Sequence, residues 1–169
     1  MEFVTLASPD GKSIGAAEKL EAHSNGGLLH LAFSIFVFNA SDELLLQKRA
    51  LGKYHFAGLW SNTCCGHPRP HEGLAQAARR RLKEEFGFST ALHPSFTLTY
   101  EAHDDKTELT EKEFLHVMTG RYDETPTPDP SEIADWHWKS LDEVAAGLDE
   151  APENYTPWFQ LLAQRMLSL

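Results

Sequence analysis

The chain has 169 residues, 41% hydrophobic and 24% charged, a globular composition that excludes a disordered tail, a collagen-like chain or a repeat array and suits one domain spanning residues 1–169. Lys and Arg number 15 against 25 Asp and Glu, a net charge of −10; no nucleic-acid or membrane partner is expected, and an anionic ligand must be held by local positive charge. The opening MEFVTLASPDGKS lacks the basic and apolar regions of a signal peptide, and Leu29 to Ala40 is too short and interrupted to span a bilayer, so a cytoplasmic protein is expected.

In chain order, Phe3 to Ala7 followed by Ser-Pro-Asp-Gly reads as a strand entering a turn, with a short helical piece around Ala17 to His23. The run HLAFSIFVFN from His30 to Asn39 is aromatic and β-branched without clean alternation, as expected of a strand covered on both faces. A turn at Ser41-Asp42-Glu43 leads into Leu44 to Lys48, predicting a hairpin, and a further extended stretch covers Gly58 to Cys65. Between Gly73 and Phe86 the apolar residues Leu74, Ala78, Leu82 and Phe86 recur every four positions, which predicts a helix stopped by Gly87. Phe96 to Ala102 and Glu113 to Tyr122 read as strands joined by the polar loop HDDKTELTEK, and Asp135 to Lys139 as another strand. ETPTPDP (124 to 130) is a connecting loop, and Leu141 to Gly147 and Pro157 to Leu167 close the chain as helices.

The two cysteines, Cys64 and Cys65, are adjacent. Their Cα atoms lie about 3.8 Å apart, closer than normal disulfide geometry allows, so both are read as free thiols suited to a reducing compartment. On an extended strand they point to opposite faces, one into the core and one toward a cleft.

From Gly66 the chain reads Gly, five residues, Glu72, seven residues, then Arg80-Arg81-Leu82-Lys83-Glu84-Glu85-Phe86-Gly87-Phe88. This is similar to the Nudix box, with Arg81 replacing the second residue of its Arg-Glu pair. The resemblance implies an α/β fold, a Nudix-type α/β/α sandwich with a mixed β-sheet. Independently, 100° per residue puts Arg81, Glu84 and Glu85 on one helix face and Leu74, Ala78 and Leu82 on the other. Such carboxylates can hold Mg²⁺; alternatively Arg81 and Glu85 form an i,i+4 ion pair on a solvated surface. A guanidinium at position 81 cannot bind metal, so diphosphate binding can persist where hydrolysis does not.

Beyond the box, most of the chain resembles the type 1 isopentenyl-diphosphate δ-isomerases. The matching pieces are Lys19, His23, the run His30-Leu31-Ala32-Phe33-Ser34, the stretch Lys48 to Lys53, the segment Trp60 to Pro68 and Glu111-Lys112-Glu113. The resemblance implies that isopentenyl and dimethylallyl diphosphate are interconverted through a carbocation-like intermediate. It implies one Mn²⁺, Mg²⁺ or Zn²⁺ site formed by His23, His30, His67, Glu111 and Glu113, and a Mg²⁺ that bridges the diphosphate, Glu85 and the Cys65 carbonyl. It further implies that Lys19, Arg49, Lys53 and Arg81 contact the diphosphate, that Trp158 faces the cation, and that Cys65 and Glu113, with Tyr100, move the protons. Two acid/base groups on opposite faces are what a double-bond shift requires, and aromatic faces stabilise a cation without offering a nucleophile. The partner expected is a small molecule, the protein itself a monomer or weak dimer. His55, His71, His93, His103, His116 and His137 are read as surface residues. The alternatives are a Nudix hydrolase of a nucleoside diphosphate derivative, for which Cys65 is dispensable, and a diphosphate-binding module without chemistry.

Overall fold

In a computed structural model that describes residues 1–168, the chain runs β1 (Phe3–Ala7), β2 (Ser13–Glu18), α1 (Lys19–His23), β3 (His30–Phe38), β4 (Leu44–Arg49), β5 (Trp60–Ser61), β6 (Cys64–Gly66), α2 (Leu74–Phe86), β7 (Leu92–Asp104), β8 (Leu109–Arg121), β9 (Ile133–Lys139), α3 (Leu141–Glu150), a 3-10 turn (Pro152–Asn154) and α4 (Pro157–Leu167). The sheet is organised around β3, which pairs in parallel with β8 from His30↔Glu113 to Phe38↔Arg121 and antiparallel with β1, β4 and β6. β8 pairs with β7, and β4 with β5 and β9.

Strand periodicity divides β3 between two cores. Phe33, Ile35 and Val37 pack with Ala77, Ala78, Leu82 and Phe86 of α2, whereas Ala32 and Phe36 pack with Val144 of α3 and Trp158, Phe159 and Leu162 of α4. The unalternating apolar run therefore belongs to a strand with helices on both sides, and the α/β/α sandwich follows. Phe33 and Phe36, both at most 1% exposed, each contribute about 1.5–3 kcal/mol through burial. α2 ends where expected, because Gly87 adopts φ +76° and donates its N–H to the Lys83 carbonyl, a left-handed conformation that a Cβ disfavours.

Several expectations need correction. Ala17 and Glu18 belong to β2 and the helix begins only at Lys19; Ser13 to Ala16 are exposed on this edge strand, so no alternation marks it. The β3–β4 hairpin is joined at one register pair, Phe38↔Leu44, after which β4 turns to β9. The extended stretch from Gly58 splits into β5 and β6, with buried Asn62 and Thr63 between them. Thr63 Oγ1 accepts from the Val37 N–H and donates to the Leu45 carbonyl, bridging β3 and β4 where their own pairing has ended. Most of the polar loop expected between β7 and β8 is ladder: Tyr100 opposes Glu113, Ala102 opposes Glu111, and pairing runs to Asp104↔Leu109. Glu111 and Glu113 occupy the inward positions that apolar residues mark in an ordinary strand, so the strand carries no hydrophobic signature.

Candidate active site and metal centre

The sheet and loops enclose a cavity of about 330 Å³ whose wall includes Lys19, Arg49, Lys53, Cys65, His67, Arg81, Glu85, Tyr100, Glu111, Glu113 and Trp158. Residues from seven elements and two loops thus converge. The i,i+2 spacing of Glu111 and Glu113 on β8 puts both carboxylates on one face, and antiparallel pairing sets Tyr100 of β7 opposite Glu113. On β6 the two thiols part as strand geometry requires: Cys64 is fully buried in the α2 core, and Cys65 faces the cavity. Gly66 permits this turn of chain because a Cβ there would lie 2.7 Å from Phe33 Cζ and 3.0 Å from Arg81 Cγ.

Four histidines surround Glu111. His23 and His30 are fully buried and do not reach the cavity wall. The Nδ1–H of each donates to a backbone carbonyl, of Lys19 at 2.6 Å and of Leu28 at 2.7 Å, which turns Nε2 inward as the atom that can ligate a cation. His23 Nε2 lies 3.0 Å from Glu111 Oε2; His30 Nε2 lies 3.8 Å from both Glu111 Oε2 and Glu113 Oε1 and has no hydrogen-bond partner. His67 Nε2 is 2.9 Å from Glu113 Oε1. One ligand atom each from His23, His30, His67 and Glu111 falls within 4.8 Å of the others, with Glu113 adjacent. An orphaned, buried imidazole nitrogen among converging lone pairs and a carboxylate fits a divalent cation.

The electrostatics divide the two carboxylates. Burial alone would raise Glu111, but its contacts with His23 and His55 hold it well below the usual range. Burial and the neighbouring Glu111 charge push Glu113 well above that range, so it is the proton carrier of the pair. Burial and the same two carboxylates raise Tyr100, and burial with the nearby His30 lowers His67, keeping it neutral. Burial pushes the Cys65 thiol up to about 12, opposed by Ser34 Oγ at 3.2 Å and Asn62 at 3.3 Å.

Each basic side chain of the cavity is held by a carboxylate or a carbonyl. Lys19 pairs with Glu2 at 3.0 Å, Lys53 with Glu132, and Arg81 with Glu85 at 2.6 Å and Glu132 at 3.2 Å. Arg49 Nη2 donates to the His55 carbonyl at 3.0 Å, while its buried Nε is unpartnered. These cations concentrate positive charge in one pocket of a −10 chain. The Arg81–Glu85 pair is not on a solvated surface: Glu85 is 4% exposed and also accepts from Gln47 Nε2 at 2.8 Å. Trp158 is 4% exposed, donates Nε1–H to Ser61 Oγ at 2.9 Å, and stands 5.4 Å from the Arg49 guanidinium carbon.

The candidate residues from the sequence thus gather at this cavity or directly behind it, and the structure adds others. His55, read as a surface residue, is 3% exposed and contacts Glu111 Oε1. Glu2, Tyr54 and Glu132 also line the wall. No spacing connects Glu2 or Glu132 to the other residues; they arrive by folding. For His55, two positions after Lys53, the sequence offers no signal of its role.

Comparison with known proteins bears on this geometry. A NUDIX domain match covers residues 28–159. The chain is 54% identical over 165 residues to the isopentenyl-diphosphate Delta-isomerase of Halorhodospira halophila, covering 97% of this chain and 94% of that one. The chain belongs to the NUDIX family and, within it, to the isopentenyl-diphosphate Delta-isomerases. A second member, from Burkholderia multivorans, is 48% identical over 97% of this chain and 92% of its own. A crystal structure from Deinococcus radiodurans, 20% identical, matches the fold with a TM-score of 0.80 over 97% of this chain and 98% of that one. The two isomerases match this chain at 54% and 48% identity along nearly its whole length.

Proposed function

We infer that this chain, acting through residues 1–169 as one domain, interconverts isopentenyl and dimethylallyl diphosphate. The observation that carries the reading is that Cys65, Glu113 and Tyr100 line one cavity that also presents Lys19, Arg49, Lys53 and Arg81. The identity with proteins named isopentenyl-diphosphate Delta-isomerase supports the substrate. A hydrolase has less support, since Arg81 occupies a box position where a carboxylate would help hold metal.

The four basic side chains bind the diphosphate: Lys19, Lys53 and Arg81 exchange their present carboxylate partners for phosphate oxygens, and Arg49 offers its unpartnered Nε–H. The hydrocarbon end is directed toward Trp158 and away from water. Protonated Glu113, with the Tyr100 hydroxyl beside it, gives its proton to the terminal alkene carbon. The tertiary cation that forms faces Trp158, which supplies a negative π face but no nucleophile. Cys65 Sγ takes the allylic proton from the other side, and the roles reverse for the back reaction. With its pKa near 12 the thiol is protonated in the ligand-free cavity, ready as donor in the reverse direction. In the forward direction the thiol first gives up its proton to water as the substrate enters, and the Ser34 hydroxyl hydrogen-bonds to the thiolate that then takes the allylic proton.

His23, His30, His67, Glu111 and Glu113 would hold Mn²⁺, Mg²⁺ or Zn²⁺, and Glu85 with the Cys65 carbonyl would hold the Mg²⁺ that accompanies the diphosphate. Bound there, divalent cations supply positive charge that makes Glu113 a stronger acid and offsets charge on the diphosphate. The reading includes a monomer or weak dimer and a cytoplasmic setting, the latter supported by two free thiols. Among the described residues no helix is long and apolar enough to cross a membrane.

The test is NMR of the protein with isopentenyl diphosphate and Mg²⁺ in D₂O. Carbon-bound deuterium and dimethylallyl diphosphate with the diphosphate intact are expected. Phosphorus signals showing cleavage without carbon exchange would replace this reading with hydrolysis.

A further inference from the structure

The fourth histidine of the cluster differs from His23 and His30 in which nitrogen must carry a proton. Arg49 can only donate, and its Nη2 lies 3.4 Å from His55 Nδ1, so Nδ1 accepts and the ring proton sits on Nε2. That Nε2–H contacts Glu111 Oε1. His23 and His30 are turned the opposite way, with Nδ1–H on a carbonyl and Nε2 inward. Nor does His55 share the group of ligand atoms formed by His23, His30, His67 and Glu111.

We propose that His55 is a positioning residue that occupies Glu111 Oε1 and thereby aims Oε2 alone at the His23, His30 and His67 nitrogens. The ring is fixed for this task. It stacks on Tyr54 at 4.1 Å between centroids and 10° between planes, and Trp158 flanks it at 6.1 Å. The next residue, Phe56, is held at φ +47° and donates its N–H to Asp104 Oδ2 at 3.0 Å, pinning the loop so that the imidazole enters the cavity. Arg49 donates to both the carbonyl and Nδ1 of His55, so one guanidinium of the anion-binding wall is joined through one imidazole to the carboxylate of the metal centre. Without that N–H, Glu111 is free to turn its second oxygen inward or toward Arg49, and the single-oxygen geometry is lost.

The inference rests on the metal-centre part of the function proposed above. Its test is the affinity of the metal-stripped protein for Mn²⁺ and for Zn²⁺, measured by competition with a chromophoric chelator, for His55→Gln, His55→Asn and His55→Ala. A Gln amide nitrogen reaches the place of Nε2 and keeps the donor; an Asn amide reaches only the place of Nδ1. Wild type and His55→Gln are expected to agree within about threefold, whereas His55→Asn and His55→Ala weaken metal binding by roughly 10–100-fold, the usual effect of losing a partner of a metal ligand. Isomerase activity of the weakened variants is expected to recover at excess metal, with the KM for isopentenyl diphosphate little changed. Unchanged affinity in all variants overturns the proposal, as does equal weakening in all three, which would assign the effect to ring packing. If His55→Ala fails to fold, the Asn and Gln variants decide between these outcomes. A wild-type protein that binds neither metal would overturn the metal centre itself.

Discussion

At the residue scale the two adjacent thiols make the sharpest contrast. Cys65 faces the cavity between Ser34 and Asn62, while Cys64 is fully buried against α2. Cys65→Ser is expected to lower isomerisation by roughly 10²–10⁴-fold, the usual weight of a positioned acid/base group, while diphosphate binding, followed by calorimetry, persists. Cys64→Ser is expected to retain most turnover yet lose about 1–3 kcal/mol of stability in urea denaturation, because its hydroxyl enters an apolar core. Equal loss of turnover in both variants would reverse the choice of thiol. His67→Ala removes a nitrogen 2.9 Å from Glu113 Oε1 and one of the four clustered ligand atoms. It is expected to lose bound metal together with activity, and full occupancy measured by elemental analysis would take His67 out of the ligand set. These residues were legible in the sequence because their types and spacings form motifs. His55 was not, since nothing in a lone histidine beside Lys53 tells that the loop after β4 is pinned by Asp104, forty-eight positions away.

At the element scale, the start of α2 shows how a motif residue serves structure. Glu72 accepts from Arg80 Nε at 2.7 Å and Nη2 at 2.8 Å and from the Arg69 N–H at 2.9 Å. The Arg80 hydrogen bonds, more than any other cause, bring its pKa from 4.5 down to about 2. The folded pKa lies below the unfolded one, so the stabilisation is fully present above about pH 4.5 and is lost as pH falls toward 2. Glu72→Gln is therefore expected to cost about 1–2 kcal/mol at pH 7 and progressively less below pH 4.5, as read by denaturant midpoints across that range. A cost independent of pH would mean that packing of the Glu72 stem, not its charge, holds the loop. At the end of β6, in Gly66→Ala the new Cβ meets Phe33 Cζ at 2.7 Å, and about 1–3 kcal/mol of destabilisation is expected, as for other overpacked cores. Phe33→Leu in the same chain is expected to restore part of it.

At the scale of the whole molecule, the buried histidines and carboxylates link metal binding to stability. The centre draws on α1, β3, the chain after β6, and β8, segments far apart in sequence that the unfolded chain does not hold together. A metal bound only by the native state stabilises it by RT ln(1 + [L]/Kd), about 2.7 kcal/mol at a hundredfold excess over Kd. Calorimetric melting is expected to rise on adding Mn²⁺ or Zn²⁺ to the chelator-treated protein and to fall again with chelator. An unchanged melting temperature at metal concentrations that support turnover would separate the metal from this buried cluster.

What the sequence by itself determined was what repeats locally. The period of α2 and its stop at Gly87, the doubly covered strand β3, the opposed thiols and the box spacing are written within single elements, where 3.6- and 2-residue periodicity governs. Tertiary structure decided the rest. Glu111 is polar on an inward face, so the first stretch of β8, up to Lys112, reads as loop although it is ladder. The early opening of the β3–β4 hairpin depends on Thr63 bridging the two strands and on β9 arriving as the partner of β4. Glu2, His55 and Glu132 join the cavity through contacts spanning 17 to 79 positions. Such contacts are set by how the sheet curls and where its loops are pinned, and no local pattern of residues encodes them.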